Sequence, residues 1–461
     1  MLRALFVIGI ICYGCAKSVK GPFYALLFYL WIAYFRPEFW LWSDFYSQLN
    51  LSLLVGITVV GSMIISPNEK LRYGLNPFLI TLFVVQSSLS TLLSPHTDYA
   101  LPYYFDFVKC AIMTLMIASL VKDERRLRLL FAVIVGTVCI EAVKQGWLQL
   151  ILNPGAQNAN DYIAFGDNNF VAVGMAMTLS MMVPLVRTAS TRAERLFIQF
   201  CAVGVLYRGI STYSRGGFLG YGALGLQYLA RSRRNLAGIL SVTVVLAIIA
   251  PVLPDAFWAR MSTINESRVN LDDTSEADAS ISGRLHFWAV AWEMAKDNPL
   301  LGVGHNAYNA SYMKYDFSNG RYPGARSVHN AWLGVMAELG FPGLFLFVAL
   351  IGRTFWTNIR VQRLARKHPE LSTLAHFAVG TEGALVAFAV GGSFVIFQYH
   401  EILWHLIGVS IAIDAMARER LAKLATPVPV AESVRSVPWN PGSIVMPPVG
   451  LATRKSGIPG A

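Results

Sequence analysis

The sequence predicts an all-α, polytopic integral membrane protein of about twelve transmembrane helices, with one long extracytoplasmic loop that contains short helices. Three observations predict it. The chain of 461 residues is 55% hydrophobic and only 14% charged, well short of what a soluble surface requires. Apolar runs close to the ~20 residues needed to cross a bilayer recur along it. The polar residues gather in short basic clusters between those runs and in one excursion from Phe257 to His329. A transmembrane β-barrel would instead alternate in segments of about ten residues.

The apolar runs occupy 3–16, 22–42, 50–66, 77–94, 103–121, 129–152 and 168–186. They continue at 196–214, 216–230, 235–255, 330–352, 373–397 and 399–417. The first is short and Arg36-Pro37 interrupts the second, which sets the expected count at about twelve. No small-residue cleavage site follows the first run, so it is expected to be a span rather than a signal peptide. Lys122 to Arg128, Arg187 to Arg195, Arg231 to Arg234, Arg353 to Lys367 and the stretch from Arg418 are basic, and short basic loops stay cytoplasmic. Alternation then places 95–102, 153–167, 257–329 and 398–400 outside, and 153–167 holds no Lys or Arg, as required. The expected organisation is a membrane domain over 1–425, with a periplasmic loop subdomain inserted at 256–329 and the C-terminus cytoplasmic. The tail at 426–461, rich in proline from Pro427 to Pro459, is expected to be disordered.

Several function classes drop out. The net charge of +11 does not indicate nucleic-acid binding, because the basic residues serve as topology signals and no motif accompanies them. All five cysteines (Cys12, Cys15, Cys110, Cys139, Cys201) lie in apolar segments, so neither a disulfide framework nor a zinc site is expected. Cys12-Tyr13-Gly14-Cys15 has redox spacing but sits within a span, where packing explains it. His286, His305, His329 and His400 show none of the spacings of a metal motif. There is no Gly-x-Ser-x-Gly nucleophile elbow. No internal repeat is visible, which weighs against a transporter.

Within the excursion, Ile281 to Lys296 reads as a helix with Leu285, Trp288, Trp292 and Ala295 on one face, ended by Asp297-Asn298-Pro299. Two tryptophans on that face predict a helix at the membrane interface; ordinary packing of a subdomain is the plainer alternative. A second short helix would align Tyr308, Tyr312 and Tyr315. Gly302-Val303-Gly304-His305 reads as a turn and not a phosphate loop, since no Gly-Lys-Ser/Thr follows.

Ionisable groups within spans are costly, which makes them functional candidates. Arg208 and Arg215, seven residues apart, would project from one helical face. Arg215 sits in Ser214-Arg215-Gly216-Gly217, where glycines would let backbone or ligand approach, and its planar fork suits phosphate oxygens. A snorkelling arginine, or a pair with Glu382, is the alternative. Lys144, one turn from Glu141, either pairs with it or meets an anionic head group. Asp167 opens a span as a cap, with sugar contacts possible beside that role. Arg284 would begin the loop helix, whose N–H groups favour anions. His329 would begin the span at 330, where the helix N-terminus disfavours the imidazolium. A neutral imidazole there suits proton abstraction from a sugar hydroxyl; capping is the alternative. Asn330, His305 and Arg326 complete the expected substrate-contact set.

Three segments together resemble the O-antigen ligase and polymerase superfamily of bacterial envelope glycan transferases. They are Ser214-Arg215-Gly216-Gly217; Gly283-Arg284-Leu285 with Trp288 and Asp297 to Gly304; and His329 to Leu333 with Ala337-Glu338-Leu339-Gly340-Phe341-Pro342-Gly343. Phe35-Arg36-Pro37 and Lys144-Gln145-Gly146 are similar to the branch of exosortase-associated O-glycosylation ligases, with Gln145 where that branch has glycine. The resemblance implies a GT-C-like inner-membrane glycosyltransferase, independent of metal and cofactor, that uses an undecaprenyl-diphosphate-linked glycan. Its expected acceptor is lipid A–core oligosaccharide among membrane lipids, with Arg215 and Arg284 on diphosphate and His329 as base. A polymerase or a protein O-oligosaccharyltransferase of the same superfamily fits nearly as well, and a lipid-linked glycan flippase is the alternative of another class.

Overall fold

The computed structural model describes residues 2–40, 50–158, 160–231, 276–324 and 326–425, with side chains from residue 5 in the first stretch and from 282 in the fourth. The expected span 235–255, the loop before residue 276 and the tail 426–461 lie outside the described residues. Chain contacts group everything up to Arg420 as one unit, and the helices below are those of that unit.

Among the described residues the chain is helical, with one isolated β-bridge between Tyr162 and Gly166. The first helices are α1 (Leu2–Ser18), α2 (Pro22–Phe35), α3 (Leu51–Ile65), α4 (Leu75–Leu92), α5 (Thr97–Leu120) and α6 (Glu124–Leu152). Next come α7 (Asn168–Arg187), α8 (Arg192–Ile210) and α9 (Arg215–Arg231). The excursion supplies α10 (Glu276–Asp297) and α11 (Tyr308–Tyr315), and α12 (Ala331–Ala365), α13 (Ser372–Gly391) and α14 (Glu401–Ala425) follow. Side-chain caps start four of the long helices: Asp123, Asp167, Thr191 and Asn330 each accept a backbone N–H of the first turn. Each such cap is worth about 1 kcal/mol.

Helices cover every described stretch expected as a span. Five are long and apolar enough to cross a membrane: α4, α5, α7, α12 and the segment Pro369–Phe394 that contains α13. Three shorter apolar helices lie within α1, α2 and α3. Large apolar side chains face outward, among them Ile64 (79% exposed) and Ile65 (82%), which water would not tolerate in such number but hydrocarbon does. The protein is a multi-pass membrane protein. The run 22–42 breaks at Arg36, because the residue before a proline is pushed out of the α region. The basic stretch from Arg353, expected as a loop, instead continues α12 to Ala365.

α14 is buried almost continuously from Ile402 to Ala417. Trp404 packs among Phe83 of α4 and Phe107 of α5, with ring centroids 5.2 and 4.8 Å away, and donates to the Gln398 carbonyl at 2.9 Å. At the end of the bundle where the basic clusters lie, acids meet them: Lys122 and Arg126 hold Glu69, Arg128 holds Glu194, and Arg420 holds Glu124.

The helix α12 contains a break that positions everything at its start. Gly340 adopts φ 70° and ψ −175°, and Pro342 two residues on brings no N–H to the ladder. The carbonyls released upstream are taken by the turn after α10: Val303 N–H donates to Ala337 O (2.9 Å) and Gly304 N–H to Glu338 O (3.0 Å). Phe341 N–H returns a bond to Pro299 O at 2.9 Å. Gln86 of α4 clasps both sides, donating to Leu300 O (2.6 Å) and Leu339 O (2.8 Å). Beside this junction Phe287, Val290, Met294, Tyr308 and Tyr312 form a small core for the excursion. Tyr308 and Tyr312 share a buried side of α11 as expected. The expected face of α10 divides: Leu285 and Trp292 are each 48% exposed, whereas Ala295 is buried along with Phe287, Val290, Ala291 and Met294.

Gly302→Ala should damage this junction. At φ 69° an added Cβ enters the left-handed region, costing roughly 1–2 kcal/mol, and also runs into the Glu338 backbone. A lower melting temperature in detergent is the expected result. Gly136→Ala, with open space around its Cβ, should leave the melting temperature unchanged or slightly raised.

Candidate functional site

Three helix starts and the middle of a fourth helix converge. α7 begins at Asp167, which accepts the N–H groups of Asn169 (2.8 Å) and Phe170 (3.2 Å). α9 begins at Arg215, and the preceding turn is tied to α7: Ser214 Oγ donates to Asn169 Oδ1 at 2.8 Å, and Asn168 Nδ2 to Thr212 O at 3.4 Å. α12 begins after His329, with the N–H groups of Trp332 and Leu333 donating to Asn330 Oδ1 (2.9 and 3.0 Å). The segment 393–394 bridges the last two: Gly216 packs against Phe394, and Trp332 Nε1 donates to Ser393 Oγ at 3.1 Å. The fourth is α10, whose Trp288 donates from Nε1 to Val328 O at 3.0 Å. Arg284, one turn before Trp288 on the same face, is thereby brought beside His329.

The electrostatics confirm the proximity of three of these groups. Burial lowers the His329 pKa from its ordinary value, the Arg284 guanidinium lowers it further, and Asp167 pulls the other way. The imidazole is neutral at pH 7, half-buried, and carried on a strained backbone with φ 47°. Left-handed conformations at non-glycine residues cost of order 1–3 kcal/mol and collect at functional sites. Tyr213, two residues before Arg215, shares the feature at φ 56°.

Other expected contacts are placed differently. Arg208 and Arg215 do not share a helical face, since α8 ends at Ile210 and the turn 211–214 redirects the chain. Arg208 is fully buried, donating from Nε to Gln145 Oε1 (2.7 Å) and from Nη2 to Asn160 O (2.9 Å). Glu141 accepts from Gln145 at 2.6 Å rather than pairing with Lys144, which is exposed on the outside of α6. Glu382 pairs with Arg231. Gly216 and Gly217 serve close packing, against Phe394 and Ala172, and not ligand approach. α10 starts at Glu276, so Arg284 lies inside the helix and has no free N–H groups beside it. The Asn330 oxygen is engaged in capping, and Arg326 is exposed near Tyr312. His305 is buried against Ser87 Oγ (2.7 Å) and the Tyr399 ring, and burial lowers its pKa to about 3.

One feature was not foreseen. A cavity of about 720 Å³ opens among α2, α3, α5 and the turns at 305–306 and 396–401. Arg36, Glu38, Asp106, Lys109, His400 and Glu401 line it, and Phe170 of α7's first turn forms part of its wall. The charges in 103–121, Asp106 and Lys109 one turn apart, were a sequence signal for it, as was the interruption at Arg36.

Comparison with known proteins finds a partial match. Residues 200–348 match the family model described as O-Antigen ligase, which covers less than half of the chain. The matched segment contains Arg208, Arg215, Arg284, His305, Arg326, His329 and Asn330, leaving Lys144 and Asp167 outside. A second model, described as a family of unknown function, matches residues 2–155. Exopolysaccharide production protein ExoQ of Rhizobium meliloti (strain 1021) is similar, at 28% identity over 109 residues. That stretch covers 22% of this chain and 24% of the relative.

Arg208→Ala should act on stability, because it removes a fully buried side chain together with its hydrogen bonds to Gln145 and Asn160, each worth about 1 kcal/mol. Melting temperature should fall, and Arg208→Lys should not restore it, since one ammonium cannot reproduce the fork that reaches both acceptors.

Proposed function

We propose that this protein is a glycosyltransferase of the O-antigen ligase kind, taking a glycan from undecaprenyl diphosphate at the periplasmic face of the inner membrane. The observation that supports it best is the neutral His329 held within electrostatic reach of Arg284 and Asp167, where α7, α9, α10 and α12 converge. In this reading about twelve spans place the converging ends outside and the C-terminus in the cytoplasm. No nucleotide sugar is available there, so the lipid diphosphate supplies both leaving group and driving force. The acceptor is a hydroxyl of lipid A–core oligosaccharide.

The reaction is a direct displacement. The acceptor oxygen forms a bond to the anomeric carbon as its proton passes to an imidazole nitrogen of His329. The bond from that carbon to the phosphate oxygen breaks, and the pair of electrons leaves with undecaprenyl diphosphate. Arg215 and Arg284 stabilise the charge that develops on the diphosphate, the kind of preorganised electrostatics that often dominates catalysis. Attack from the opposite side inverts the anomeric centre. His305, Arg326 and Asp167 have supporting roles in substrate contact, Asp167 also by offsetting the positive charge that His329 acquires. Arg208 supports the site through its network with Gln145.

A second reading is favoured by one observation, the similarity to an exopolysaccharide production protein. There the same chemistry joins lipid-linked repeats to one another. Purified protein given lipid-diphosphate glycan and lipid A–core separates the two: transfer of one whole glycan to the core is ligation, and a ladder on the lipid carrier is polymerisation. No transfer to either acceptor sinks both.

Arg215→Ala, Arg284→Ala and His329→Ala should each reduce kcat by ~10²–10³, the loss typical of one transition-state donor. Full activity in any of the three would remove that residue from the mechanism. The pH profile carries a separate expectation. Because the His329 pKa lies below its ordinary ~6.5, kcat/KM for donor should lose activity only as pH falls below that value. Diphosphate bound on Arg284 cancels part of the depression. The acid limb of kcat, which reports the bound complex, should therefore lie at higher pH than that of kcat/KM. Coincident limbs would show that the diphosphate does not sit between these groups.

A further inference from the structure

The cavity beside the candidate site is built from both matched segments. Arg36, Glu38, Asp106 and Lys109 come from the part that matches the family of unknown function, and His305 and Asn306 from the part that matches the O-antigen ligase model. Its volume of about 720 Å³ falls in the range of small-ligand sites, roughly 300–1,000 Å³. Three of the six non-glycine residues with positive φ among the described residues line it: Arg36 (49°), Asn50 (23°) and Asn306 (55°). Asparagine tolerates that conformation, so the weight falls on Arg36, which turns the chain at the cavity wall.

The charge on the wall decides what it can hold. Three carboxylates (Glu38, Asp106, Glu401) face two permanent cations (Arg36, Lys109). Lys109 is already paired with Asp106 at 2.7 Å, and Arg36 lies in the field of Glu401. Burial and the nearby Arg36 lower the His400 pKa to about 3, so it adds no charge. Both cations already lie against acidic groups, so this wall has little positive charge left to offer a diphosphate. Carboxylates that accept hydrogen bonds, beside exposed aromatic faces such as Tyr103 and Phe39, suit hydroxyl-rich rings with apolar C–H faces.

We propose that this cavity is a saccharide-binding site, selective for sugars that present hydroxyl or amino donors and no phosphate, and that it holds the acceptor sugar next to the transfer site. Phe170 forms its wall one turn from Asp167, which acts on His329 electrostatically, so a sugar seated here extends toward the proposed base. Identifying the bound sugar as the acceptor rests on the transfer reaction proposed above. The preference for saccharide over phosphate does not.

The test uses full-length protein in nanodiscs and three probes: chitotriose, its de-N-acetylated glucosamine trimer, and inorganic pyrophosphate. Saturation-transfer NMR should detect both trisaccharides, with pyrophosphate unable to displace them. Asp106→Asn and Glu401→Gln should each weaken trisaccharide binding by about tenfold, the effect of one lost charge-assisted hydrogen bond. The Asp106 side chain is 71% exposed, so its variant keeps the test open if Glu401→Gln melts early. No trisaccharide binding, displacement by pyrophosphate, or unchanged affinity in a folded Asp106→Asn protein would overturn the site. In the transfer assay both variants should raise acceptor KM about tenfold and leave donor KM alone. Transfer with unchanged acceptor KM would overturn the acceptor role while the glycosyltransferase reading stood. Saccharide binding lost in the variants, but with no transfer by wild-type protein, would keep the site and remove that reading.

Discussion

A helix that stops being a helix for one residue governs the placement of the candidate site. The non-helical Gly340, with Pro342 beyond it, frees the carbonyls of Ala337 and Glu338, and an unpaired carbonyl in a membrane protein costs several kcal/mol. The turn from Pro299 to Gly304 supplies the missing donors from the excursion. Only glycine fits at Gly302 and Gly340, because both need positive φ and both backbones lie in contact. The excursion is therefore fastened to α12 by main-chain hydrogen bonds. Glu338 adds a second fastening, since backbone N–H groups of Tyr308 and Asn306 bind its carboxylate at the start of α11. Much of the motif that resembles the O-antigen ligases, Asn298 to Gly304 and Glu338 to Gly343, serves this junction and not the chemistry.

With the junction fixed, the two sides of the site are fixed as well. The portion of α12 before the break carries His329 at its entrance, and α10, packed along α12, carries Arg284 past it through the Trp288–Val328 bond. α13 packs on both α7 and α9, and the segment that follows it touches both Gly216 and Trp332. Arg215 and Arg284 thus sit on separate elements, α9 and α10.

The sequence was most readable where hydrocarbon imposes length. Helices appear in every described stretch with an apolar run, and Pro37 marked the break in α2 in advance. It was least readable in assigning faces. In a soluble helix an apolar stripe points to the core, but in a membrane Leu285 and Trp292 can be apolar and still face outward, so periodicity loses its meaning. The turn 211–214 is hidden for another reason: Ser-Thr-Tyr-Ser contains neither proline nor glycine, and what shapes it is a set of local hydroxyl bonds to the backbone together with tertiary bonds such as Tyr213 OH donating to Gly155 O. The individual site residues were visible as costly charges. The cavity was not, because its wall comes from segments more than three hundred residues apart in the chain.

The distribution of charge ties the two proposed regions together. A transfer reaction needs its leaving diphosphate and its entering hydroxyl kept apart until they meet at one carbon, and electrostatics can sort them without steric gating. In the proposed reading, Arg215 at the start of α9 and Arg284 within α10 favour diphosphate, while the cavity wall, whose cations already lie against acidic groups, takes hydroxyl donors. A group placed between the two has to be uncharged at rest, or it would bind one substrate in preference to its task. His329 meets that condition through burial and the neighbouring Arg284, and Asp167 keeps the imidazolium within reach once the proton moves. An aspartate at the His329 position would be ionised and would pair with Arg284, removing a cation from the diphosphate side. A lysine there would add a third positive charge and hold its proton. Of the ordinary bases, imidazole alone stays neutral beside a guanidinium and still accepts a proton near neutral pH.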